Sequence, residues 1–95
     1  MSNEQFASVW DAIEDTPEEA ENMKLRSALM IALKDNIVRS GLSQSQAAKL
    51  FSVTQPRVSD LMRGKINLFT IDALVNMVAA AGLHVEMRVL ESEAA

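Results

Sequence analysis

The chain has no cysteine, which excludes a disulfide framework, a thiolate metal site and a cysteine nucleophile. It has a single histidine, His84, so neither a histidine metal cage nor a pair of catalytic histidines can be assembled within it. Long apolar runs are missing as well: stretches such as Ala28–Leu33 fall far short of the ~20 residues a membrane span needs. Ser2-Asn3-Glu4-Gln5 carries no basic region, so no signal peptide is expected and the expected compartment is the cytoplasm. There is no phosphate-binding glycine loop and no nucleophile–base set, so the chain is not expected to be an enzyme. Acid pairs such as Asp11 with Glu14 or Asp15 have no pocket-building length around them, and neither a metal nor a cofactor is expected.

What is present is ordinary for one globular domain: 95 residues, 48 % apolar and 23 % charged. Such a chain buries about 60–65 % of its unfolded surface, enough for a modest core but not for a roomy active-site cavity. The net charge of −4 conceals three zones. Residues 1–23 carry seven acids and no base, residues 24–65 sum to +6, and residues 66–95 sum to −3. Eight of the nine bases lie in the middle zone, which points to an anionic partner there and a different one for the acidic arm.

Phe6, Val9, Trp10 and Ile13 follow i, i+3, i+4, i+7, one apolar stripe on a short helix. Thr16-Pro17-Glu18-Glu19 opens a second helix with a cap, a first-turn proline and a capping-box acid; Gly41 is placed to end it after Ser40. Its apolar positions (Met23, Leu29, Met30, Leu33, Ile37, Val38) are wider than one stripe, so it is expected to touch more than its own core. Ser43-Gln44-Ser45-Gln46 is a further capping box, starting a helix through Phe51. After a break at Ser52-Val53, Thr54 caps a third short helix with Val58, Leu61 and Met62 inward and Gly64 behind it. Thr70 caps a last helix to Ala81, with Phe69 and Leu74 as a hydrophobic staple. Leu83, Val85, Met87 and Val89 then alternate with His84, Glu86 and Arg88, the period of a half-buried strand. His84 is expected to be a plain surface residue, and the methionines adaptable packing.

Two short helices joined by a break of three to four residues have the size of a helix-turn-helix. Ala48 is small where the helices must approach, and Val53, Val58 and Leu61 supply contacts that set their angle. With Gln44, Ala48, Val58 and Leu61 on its most diagnostic positions, the sequence resembles the lambda-repressor-like (Xre/Cro-type) helix-turn-helix family from about Met23 to Val89. The run Val53–Lys65 is similar to small Xre-type regulators of the HigA-type antitoxin group. Ser52 stands at the turn where that family usually has glycine. The resemblance implies a mainly all-α bundle of about five helices that binds DNA. With the alternating segment it gives an acidic arm (1–22), a DNA-binding domain (23–82, motif about 44–63), a dimerisation strand (83–90) and a tail (91–95).

Helical geometry turns Pro56, Ser59, Asp60 and Arg63 outward, with Arg57 on the flank and Gln55 in the first turn, where a helix meets a major groove. Gln55, Pro56, Arg57, Ser59 and Asp60 are the candidate base readers: glutamine suits adenine, arginine guanine, and proline a thymine methyl. Asp60 either accepts from cytosine or orients Arg57 one turn earlier. Ser43, Gln44, Ser45, Lys49, Arg63, Lys65 and Asn67 are the candidate phosphate contacts. The strand needs a second edge, and the same strand of a second copy supplies it. A two-fold axis near Met87 sets Val85 against Val89 and Glu86 against Arg88, whereas an axis at either neighbour opposes like charges. Such a dimer suits a palindromic operator. The arm, through Phe6, Val9, Trp10 and Ile13, is expected to bind a partner or the body of the domain. Resemblance to HigA-type antitoxins implies a small basic toxin; a stand-alone regulator without one is the alternative.

Overall fold

The computed structural model describes residues 16–91. Four α-helices and one 3-10 turn follow in order: α1 Pro17–Ser40, α2 Gln44–Phe51, α3 Gln55–Met62, the 3-10 turn Ile66–Leu68, and α4 Ile71–Ala80. Each α-helix starts on a hydroxyl side chain that accepts an otherwise unpaired amide. Thr16 Oγ1 accepts from Glu19 N at 3.1 Å, Thr54 Oγ1 from Arg57 N at 3.4 Å and Thr70 Oγ1 from Ala73 N at 3.1 Å. At α2 both halves of the capping box form: Gln46 N donates to Ser43 Oγ at 3.0 Å, and Ser43 N to Gln46 Oε1 at 2.9 Å. α1 ends at Gly41 in the left-handed region, with Leu42 N donating back to Ile37 O at 3.1 Å.

The core gathers one face from every helix. Leu33 and Ile37 of α1, Ala47, Ala48 and Phe51 of α2, Val58 and Leu61 of α3, and Leu74, Met77 and Val78 of α4 are all buried together with Phe69. α1 packs on α4, and α2 lies between α3 and α4. Phe69 and Leu74 bracket the start of α4, the staple expected of them. Val38, which belongs to the broad apolar set of α1, points to solvent at 67 % exposure. The 3-10 turn had no sequence signal of its own.

Three expectations need correction or fall outside. The helix expected around Phe6–Ile13 lies in residues outside the described range. The expected C-terminal strand is absent: residues 83–91 hold no regular secondary structure, and no strand exists among the described residues. The physical reason is that the pattern demands a second edge, and the described residues offer none. Nor do the alternating residues share one covered face. Val85 is half-buried against the core, but Met87 is 67 % and Val89 88 % exposed, with Leu90 at 71 %.

Candidate nucleic-acid interface

α2, the turn and α3 form the site. Burial of Val58 and Leu61, with Met62 half-buried, fixes which face of α3 looks inward. Gln55, Pro56 and Arg63 are exposed on the other side, and Ser59 and Asp60 are half-buried at its margin. Ser43, Gln44 and Ser45 are exposed at the start of α2, where the first amides have no intrahelical carbonyl to meet. Lys49 on α2, and Lys65 and Asn67 beyond α3, are exposed as well. The face is therefore polar, edged by three free-standing cations, and carries the amides of a helix start: a surface suited to an anionic, hydrogen-bonding partner.

The turn that sets the two helices is tight. Ser52 has φ 60° and ψ 43°, the left-handed conformation for which glycine is the usual choice. A serine there costs about 1 kcal/mol, which the surrounding structure offsets. Val53 N donates to Ala48 O at 2.9 Å, closing the end of α2, and Val53 packs against the core.

Arg57 departs from what helical position alone suggests. Its guanidinium is not paired with Asp60. Nη1 donates to Leu68 O at 2.7 Å, and Cζ lies 4.2 Å from the centroid of the Phe69 ring, so the group is held against the loop that leads into α4. Arg26, on α1, reaches the same loop: its Nη1 donates to Ile66 O at 3.2 Å and Phe69 O at 3.4 Å. In the sequence Arg26 is simply one of the eight bases of the central zone. No local signal marks it, because its partners are 40 and 43 residues away.

The remaining candidates are scattered by comparison. Glu86, Met87, Arg88 and Val89 are exposed and unpaired with any second strand among the described residues; Val85 alone is partly covered. Phe6, Val9, Trp10 and Ile13 lie outside the described residues. Among the described residues no three acids or histidines are grouped so as to hold a metal ion, and no helix is long and apolar enough to cross a membrane.

The sequence profile of the helix-turn-helix domain matches residues 12–90. A solved structure named for the XRE family of transcriptional regulators superposes with a TM-score of 0.71 at 31 % identity, over 79 % of this chain and 84 % of that one. The chain belongs to the XRE-type helix-turn-helix family. In this helix-turn-helix protein α2 and α3 are the paired helices and Ser52-Val53 the turn between them. A comparison with curated proteins finds no match.

Proposed function

We propose that this chain is a DNA-binding transcriptional regulator that lays α3 in the major groove. The observation that carries this reading is the outward face of α2–turn–α3. All of its buried apolar residues point inward, while Gln55, Pro56, Lys49, Arg63 and Lys65 are displayed to solvent. Gln55, Pro56, Ser59 and Asp60 are the base-facing set, and Ser43, Gln44, Ser45, Lys49, Arg63, Lys65 and Asn67 hold phosphates. Selection from a library of random duplexes tests it. The expected result is an enriched inverted repeat whose affinity exceeds that for random DNA by 10³ or more; recovery of unenriched sequence would refute it.

The regulator acts as a homodimer in this reading, through antiparallel pairing of residues 83–90 about Met87. The support is physical: beyond Leu83 the backbone joins no helix or strand among the described residues, beside the exposed side chains of Met87, Val89 and Leu90. Two recognition helices related by that axis suit half-sites one helical turn apart.

A second role as the antitoxin of a toxin–antitoxin pair is favoured by the N-terminal zone. Residues 1–23 combine seven acids and no base, three of the acids on α1, with the stripe Phe6, Val9, Trp10 and Ile13, a composition suited to a small basic protein. Co-expression with the product of the neighbouring gene is the test. A stable complex lost on Trp10→Ala supports the role, and no complex leaves the stand-alone regulator as the reading.

A further inference from the structure

We propose that Arg57 and Arg26 form a two-sided brace on the loop Ile66–Phe69, and that Arg57 serves DNA recognition as a positioning residue of α3 rather than as a base reader. The proposal rests on the reading of α3 as the base-facing helix. It concerns how that helix is held.

The loop between α3 and α4 presents three carbonyls, of Ile66, Leu68 and Phe69, and each accepts from an arginine. Arg57 comes from the first turn of α3 and Arg26 from the middle of α1. Phe69 joins the two. Its ring, 1 % exposed and part of the core, lies beneath the Arg57 guanidinium at 4.2 Å, and its carbonyl accepts from Arg26 at 3.4 Å. The 2.7 Å bond from Arg57 to Leu68 O is a short charge-assisted hydrogen bond. Stacking and donation together need a planar, forked cation, and lysine supplies neither the plane nor the fork.

A base-reading arginine offers two free N–H groups to the O6 and N7 of guanine. Arg57 gives one N–H of Nη1 to Leu68 and one face to Phe69, so its remaining N–H groups are held where the loop anchors the guanidinium and are not free to swing to a base edge. What these contacts do instead is tie the first turn of α3 to the core. Gln55 and Pro56 stand in that same turn, exposed. Displacements of about 1 Å there degrade every base contact the helix makes, because hydrogen bonding is steeply dependent on geometry. Arg26 holds the far side of the loop, with its Nε buried and unpartnered, a sign that packing of the brace fixes this side chain despite an unmet donor.

The test measures affinity of the full chain for its selected operator, for every single-base-pair variant of it and for random duplex, at one salt concentration. Arg57→Ala and Arg26→Ala should each lower the operator-to-random ratio about tenfold, spread over all positions facing α3, with the double variant no worse than about twofold beyond either. Arg57→Lys should fall with Arg57→Ala, and it gives the same readout if the alanine variant does not fold. Random-duplex affinity should change less than about threefold. Loss of preference at one base pair only in Arg57→Ala would make Arg57 a base reader and overturn the proposal. A silent Arg26→Ala would overturn it too, as would lower melting temperatures with unchanged ratios in the folded range. A wild-type chain that selects no duplex would remove the DNA reading itself, an outcome visible before any variant is made.

Discussion

The helix-turn-helix body and the segment after Gly82 answer the same requirement in opposite ways. In the body, the loose amides at each helix start are met by a side chain three residues away, at Thr16, Ser43, Thr54 and Thr70. Its apolar residues close on one another around Phe51 and Phe69. In residues 83–91 the backbone meets no strand, and Met87, Val89 and Leu90 stand in solvent. The body closes on itself; the segment meets no strand among the described residues. In the proposed dimer, association falls to a region whose loss leaves the caps and core of the body in place.

That contrast is sharpest in stability. Phe51→Ala removes a fully packed ring and is expected to cost about 3–5 kcal/mol, enough to unfold much of a domain of this size. Val89→Ser in the segment is expected to stay within about 0.5 kcal/mol. Urea denaturation measures both; equal costs would erase the distinction. Association is the next largest effect. Met87→Pro removes an amide at the proposed axis, and is expected to give a folded monomer that binds the palindrome about 100-fold more weakly, with its melting curve nearly unchanged. Sedimentation with operator titration checks this, and a dimeric, fully active variant would remove dimerisation from this segment.

Smaller effects probe how the body is held locally. Ser43→Ala removes the Oγ that accepts from Gln46 N, leaves the backbone N–H that donates to Gln46 Oε1, and should cost about 1 kcal/mol in the same urea experiment. Ser52→Gly relieves the left-handed serine at the turn, partly offset by a freer unfolded chain, and should stabilise by about 0.5 kcal/mol. A loss on Ser52→Gly would mean the serine side chain itself contributes at the turn.

These same differences explain what was legible in the sequence. Caps and turns announce themselves because cause and effect lie within four residues: Thr16 with Glu19, Ser43 with Gln46, and the turn around Ser52. The inward face of α3 was readable from the spacing of Val58, Leu61 and Met62, and with it the outward positions of Gln55, Pro56 and Arg63. Arg57 was legible as a residue on the flank but not as one bound to Leu68 and stacked on Phe69, because position on a helix does not tell where a long side chain goes. Arg26 was invisible for the same reason, made worse by sequence distance. Val38 shows the limit of an apolar residue count: it follows buried Ile37 by one residue, about 100° around the helix, and so falls on the solvent side of α1. The alternation over 83–89 predicts a strand paired across two copies, and residues 83–91 hold no regular secondary structure, since a strand is a property of two edges.

The most direct test of the DNA-binding face compares one cation on it with Lys24, an exposed cation of α1 paired with Glu21. Affinity for duplex DNA is measured against salt concentration for the wild type, Lys65→Ala and Lys24→Ala. The plot of log affinity against log salt is expected to fall linearly in the wild type, with a slope reduced by about one in Lys65→Ala and unchanged in Lys24→Ala. Affinity that is independent of salt, or two lysines that count equally, would contradict the assignment of DNA binding to α2, the turn and α3.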